Sequence, residues 1–211
     1  QAHAAVDRVA EDARAAGVPV ETSVVEGQVR AVLDDRARVG DVDLVAAGTH
    51  GRTGLDRYLL GSVATHLVRT SPVPVLVVHG AVDSLPTYET VVVPTDGSRH
   101  AARAADLGAE IAAASGGTVH ALHAADGRPS DPVVDVLDRA TAAGADAIET
   151  VRDGRPIRVI ESYVDETDAD LVVMGTHGRT GLDRRLVGSV TERAVRVLDA
   201  PVLSVYGGEG D

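Results

Sequence analysis

The spacing of apolar positions along the chain changes period several times. Residues 2–16 place Val6, Val9, Ala10 and Ala13 three or four apart and stop at Gly17, which is the spacing and the stop of an amphipathic helix. Residues 18–25 read as a strand and residues 28–38 as a second helix. A short apolar run over 42–47 predicts a strand, 62–69 a helix, and 73–78 a last strand whose start is confined by Pro72 and Pro74. The alternation then resumes with a strand over 90–93 that ends in Pro94-Thr95-Asp96-Gly97-Ser98, a helix over 101–114 and a strand over 118–124. Strands alternating with helices imply an α/β fold, a parallel sheet with helices on both faces.

The pattern repeats at the level of identity. Gly48-Thr49-His50-Gly51-Arg52-Thr53-Gly54-Leu55-Asp56-Arg57 recurs 127 residues later as Gly175-Thr176-His177-Gly178-Arg179-Thr180-Gly181-Leu182-Asp183-Arg184. At the same offset Gly17 matches Gly144, Gly27 matches Gly154, Asp43-Leu44-Val45 matches Asp170-Leu171-Val172, and Pro74-Val75-Leu76 matches Pro201-Val202-Leu203. Such a period is too long for a solenoid, so two domains are expected, at 1–80 and 87–207, with Ser84-Leu85-Pro86-Thr87 as the linker. The repeat calls for about forty residues ahead of Gln1 that the sequence lacks, a strand, a helix and a strand. The first copy is therefore expected to be truncated and, with unpaired strand groups, the less stable of the two.

The chemistry-bearing pattern is the strand over 171–174 followed by Gly175, Gly178, Gly188 and Ser189 and then a helix, with Gly48, Gly51, Gly61 and Ser62 at the same spacing in the first copy. Glycines at a strand end allow positive φ and close approach of a ligand, and the first amides of the following helix, those of Ser189 and Val190, face outward. A phosphate chain seated there would gain from the helix dipole, from the Ser189 hydroxyl and from the Arg179 guanidinium. Thr95 and Asp96 end a strand that would lie beside this loop, where Asp96 could take ribose hydroxyls or a base amino group. A second account competes: Ser189-Val190-Thr191-Glu192 is also a capping box, in which Ser189 and Glu192 would occupy the amides a phosphate needs.

Other candidates are weaker. His50 and His177 have no second ligand nearby in sequence, and His120 and His123 are three apart on a strand and so face opposite sides. Ser115-Gly116-Gly117 joins a helix to a strand and reads as a turn. Asp165, Glu166, Asp168 and Asp170 read as a solvated acidic face. No metal site is expected.

Composition narrows the chemistry further. All 20 basic side chains are arginine and there is no cysteine, which removes disulfides, thiolate zinc sites, Schiff-base lysines and the lysine of a Walker loop. The 36 valines and 32 alanines, with no Phe or Trp, predict a core of small residues. A net charge of -12 repels nucleic acid and anionic membranes, and acid-rich composition without lysine suits a halophile as well as a GC-rich genome. Neither an apolar run long enough for a membrane span nor a secretory leader can be read, so a cytoplasmic protein is expected.

Taken with both glycine loops, the chain resembles the universal stress protein family, as a tandem two-domain member, over essentially its whole length. The family's nucleotide motif of glycine, two residues, glycine, nine residues, then glycine and serine or threonine stands in both copies. The resemblance implies tandem doubly wound, Rossmann-like sheets in the order 3-2-1-4-5, the first lacking its opening strand-helix-strand segment. It implies that Asp96 and Ala124 lie against adenosine while Met174, Gly175, Gly178, Arg179, Gly188, Ser189 and Val190 surround the ribose and phosphates. Gly154-Arg155-Pro156 matches the family's third turn. The first copy keeps Gly48, Gly51, Arg52, Gly61 and Ser62 but lacks the aspartate. The resemblance further implies a pseudo-dimer through the last strands, over 75–78 and 202–205, with room for a homo-oligomer. The function it implies is a non-enzymatic stress-response regulator that binds ATP, ADP or AMP, with or without Mg. The alternatives are a slow ATPase or nucleotidyl transferase, and a dimerising scaffold that binds no nucleotide.

Overall fold

A computed structural model describes residues 2–39, 42–48, 61–79, 87–125, 131–176 and 188–206. The first half contributes helix α1 (Ala2–Ala15), helix α2 (Val29–Arg38), strand β1 (Val45–Gly48), helix α3 (Ser62–Thr70) and strand β2 (Val75–Val78). The second half contributes β3 (Thr90–Pro94), α4 (Arg99–Ser115), β4 (Thr118–Ala125), α5 (Asp131–Ala143), β5 (Asp146–Asp153), α6 (Pro156–Thr167), β6 (Leu171–Gly175), α7 (Ser189–Val197) and β7 (Val202–Val205).

All seven strands join one sheet in the order β1-β2-β7-β6-β3-β4-β5. Counted within the second half alone, its five strands lie 3-2-1-4-5, all parallel, as the doubly wound class requires. The two halves meet where β2 pairs with β7 in the antiparallel sense, Val75 opposite Ser204 and Val77 opposite Val202. The Ser204 hydroxyl donates to the Val75 carbonyl across that pairing at 3.2 Å.

Each face of the sheet carries its own core. On one, Leu67, Val75, Val77, Ile160, Tyr163, Val172 and Val195 pack beneath α3, α6 and α7. On the other, Val91, Val93, Val119, Val133 and Val136 pack against an alanine stripe of α4 at Ala104, Ala105, Ala109 and Ala112. Small residues set the spacing of that layer: a Cβ on Gly108 would stand 2.8 Å from Val93 Cγ2, so α4 rides directly on the sheet. The predicted Ser115-Gly116-Gly117 turn is present, with Gly116 at φ 69° closing α4 and Gly117 so close to the Tyr88 carbonyl that no side chain fits.

One predicted element is not formed. The strand expected over 18–25 is exposed chain outside any ladder, with Val18 54% and Val25 53% exposed. The flanking geometry is nonetheless that of the repeat: Gly17 and Gly144 sit at φ 75° and 81°, and Gly27 and Gly154 at 151° and 143°. What differs is the neighbour. The equivalent β5 pairs along its full length with β4, and among the described residues the first half has no strand in the place of β4. A strand is stabilised by its ladder rather than by its own alternation, so the same pattern is left unpaired here.

Candidate functional site

The chain leaves β3 toward β4 on one side, while β6 lies against the other side of β3. The C-terminal ends of β3 and β6 therefore flank the switch point at which ligands bind in doubly wound sheets. The turn after β3 is fixed from within. The Gly97 N–H donates to Thr95 Oγ1 at 3.1 Å and the Ser98 N–H to Asp96 Oδ1 at 3.0 Å. The Ala101 N–H then donates to Ser98 Oγ at 3.2 Å, which caps α4. Gly97 takes a positive φ of 75°, the one place in this turn where glycine is conformationally required.

Across the switch point, the Thr176 N–H donates to the Val205 carbonyl at 3.0 Å, and the Gly188 N–H closes onto the Thr176 carbonyl. The Thr191 hydroxyl donates to the Gly175 carbonyl at 2.7 Å, tying the end of β6 to the first turn of α7. The capping box does not form. Ser189 is the first helical residue, Gly188 stands at the cap position, and α7 starts with no side-chain cap. Glu192 instead accepts from Nη2 of Arg69 of α3 on both carboxylate oxygens, each at 2.8 Å, and a third bond from Arg196 at 2.8 Å. Arg69 holds its carboxyl below the ordinary range. Among the described residues no side chain caps the outward amides at the start of α7.

The positive φ expected of the loop glycines is not found at the four that are described. Gly188 and Gly61 have φ of -55° and -57°, and neither Gly175 nor Gly48 has a positive φ. At Gly175 the cause is packing: a Cβ there would stand 2.5 Å from the His100 carbonyl carbon and 2.8 Å from the Ala101 nitrogen. The first turn of α4 takes the space a side chain would need.

The arrangement brings Thr95, Asp96, Ala124, Met174, Gly175, Gly188, Ser189 and Val190 to one rim of the sheet. Gly48, Gly61 and Ser62 belong to the opposite rim, because β2 and β7 run antiparallel. Gly51, Arg52, Gly178 and Arg179 lie outside the described residues, as do His50 and His177. Two rim residues carry no signal in the sequence pattern. Thr191 lies inside the capping-box motif, and His123, whose Nδ1 lies 2.8 Å from the Thr95 carbonyl oxygen, has only a strand face by its spacing.

The remaining candidates are structural. His120 Nδ1 and Thr150 Oγ1 lie 2.9 and 3.0 Å from the Tyr163 hydroxyl, and Arg152 stacks on that ring at 4.7 Å while bonding Glu166 at 2.8 Å. Burial pushes the His120 pKa down. Asp170, read from the sequence as part of a solvated acidic face, accepts from the Glu89 and Thr90 amides at 3.0 and 2.8 Å and anchors the entry to β3. Among the described residues no three His, Cys, Asp or Glu side chains cluster as metal ligands, and no helix is long and apolar enough to cross a membrane.

Comparison with known proteins places this geometry. The sequence profile described as "Universal stress protein family" matches residues 1–79 and 87–205. A universal stress protein of Methanocaldococcus jannaschii is 32% identical over 139 residues, covering 56% of this chain and 82% of that protein. A crystal structure of a universal stress protein from Archaeoglobus fulgidus superposes with a TM-score of 0.79 at 23% identity, covering 100% of this chain and 77% of that one, and shows the fold. A universal stress protein crystallised in complex with cAMP is 38% identical, with a TM-score of 0.52, covering 58% of this chain and 100% of its own.

Proposed function

Because the chain belongs to the universal stress protein family, we propose that it binds an adenine nucleotide, ATP or AMP, at the β3/β6 rim and acts as a non-enzymatic switch in the stress response. One observation carries the reading: a locked turn bearing Asp96 faces, across the switch point, a helix that begins without a side-chain cap. The residues present fit such a ligand. The α7 amides and the Ser189 hydroxyl would take phosphate oxygens, Asp96 the ribose, and Ala124 and Met174, both on the α6/α7 side of the sheet, the base. The relative crystallised with cAMP supports the ligand class. Gly178 and Arg179 belong to the same seat by motif. Magnesium would enter with the triphosphate.

In this reading residues 1–80 and 87–207 are two copies of one domain, and the β2–β7 pairing is their pseudo-dimer interface, on which further oligomers could be built. The first half offers Gly48, Gly51, Arg52, Gly61 and Ser62 but, among the described residues, no turn like that at 95–98 beside β1. A cytoplasmic protein working in concentrated salt fits 32 acidic residues and no lysine.

Calorimetry of the full chain with ATP, AMP and cAMP in molar salt tests the reading. Binding is expected, weakened at least about tenfold by Asp96→Ala. No phosphate should be released from ATP. Absence of heat with all three nucleotides overturns the proposal, and steady phosphate release replaces the switch with a slow ATPase.

A further inference from the structure

We infer that His123 is a positioning residue for the nucleotide turn, an inference that rests on the reading of the β3/β6 rim as the nucleotide site. His123 and Thr95 are both buried, 9% and 8% exposed, and the imidazole Nδ1 lies 2.8 Å from the Thr95 carbonyl oxygen. A carbonyl only accepts, so Nδ1 carries the hydrogen and donates. Thr95 is thereby held at both main-chain groups by one stretch of β4, since its N–H donates to the Leu122 carbonyl at 2.8 Å.

The imidazole occupies a particular place in the sheet. Pro94 is registered opposite Leu122 in a parallel pairing. In such a ladder the next rung would run from the Ala124 N–H to the Thr95 carbonyl, the position at which the His123 side chain bonds instead. Main-chain groups alternate along β4, so those of Leu122 and Ala124 address the β3 side. A side-chain donor at this rung lets β3 leave the sheet and turn while the Ala124 main chain still faces the rim. Every later bond of the turn hangs from that fixed end, from Thr95 Oγ1 to Asp96 Oδ1 to Ser98 Oγ. Removing the donor strands a buried carbonyl and releases the segment that orients Asp96.

Three variants separate holding from filling. H123N presents an amide N–H near the place of Nδ1, H123Q presents it farther out, near the place of Nε2, and H123L fills space with no donor. Two measurements on the full chain are compared: hydrogen exchange of the Gly97, Ser98 and Ala101 amides without nucleotide, and ATP affinity by calorimetry. H123L and H123Q are expected to speed exchange at those three amides by about tenfold, with β6 unchanged, and to weaken ATP binding by a similar factor. H123N is expected to stay within about threefold of the parent in both. Equal exchange in all four proteins overturns the positioning role, and so does faster exchange spread through β6, which would mark His123 as a packing residue. If exchange responds as expected while the parent gives no heat with ATP, the positioning role stands and the nucleotide reading falls.

Discussion

Gly48 and Gly175 occupy the same position of the repeat, at the end of β1 and of β6, yet they are glycine for different reasons. A side chain at Gly175 would run into the backbone of His100 and Ala101 at 2.5 to 2.8 Å, whereas at Gly48 nothing among the described residues lies within 4 Å. The constraint comes from α4, which the first half does not possess among the described residues. Residues 18–25 and β5 teach the same lesson: the alternation is shared, and only the copy with a neighbouring strand forms a ladder. A repeated sequence thus carries the imprint of contacts that only one of its copies makes.

Substitution at the two glycines is the sharpest way to break this comparison. Gly175→Ala is expected to cost about 2–3 kcal/mol, since the obstruction is helix backbone, while Gly48→Ala stays within about 0.5 kcal/mol, as urea unfolding of the full chain would measure. Equal costs would mean that the α4 contact does not set the residue. The next contrast pairs Asp170 with its equivalent Asp43. Asp170→Ala removes the acceptor of the Glu89 and Thr90 amides and is expected to cost about 1–3 kcal/mol, against about 0.5 kcal/mol or less for the exposed Asp43→Ala.

The smallest effect concerns Glu192, whose repeat equivalent is Thr65 and whose carboxyl joins Arg69 to Arg196. Its pKa is held below the ordinary 4.5, chiefly by the Arg69 hydrogen bond. The stability it contributes is therefore fully present above pH 4.5 and is lost as pH falls through the lower folded value. Solvent exposure limits that contribution to about 0.5–1 kcal/mol. Glu192→Gln should lower stability by that amount at neutral pH and flatten the acid limb of a stability-against-pH curve. Thr65→Ala should leave that limb unchanged.

Much of the fold could be read ahead of the structure because its signals are local. The Pro72 and Pro74 punctuation ahead of β2, the Gly116 stop of α4 and the ten-residue identity at offset 127 each lie within one element or one comparison of the chain with itself. The failures share a physical cause, which is dependence on a distant partner. Ser189 and Glu192 match a capping box in sequence, but Arg69, far away in the chain, draws the glutamate off. The alternation over 18–25 states what a strand would bury without stating whether a strand stands beside it. His123 could be assigned a face, whereas its bond to Thr95 depends on the register of β3 against β4.

The β2–β7 pairing spans three residue pairs, a ladder too short to hold separate molecules together when dilute. Here both strands belong to a single polypeptide, so closure is unimolecular and the effective concentration of one strand around the other is on the order of millimolar. Opening of the seam is therefore independent of protein concentration, and sedimentation or scattering profiles of the chain should not change with dilution on its account.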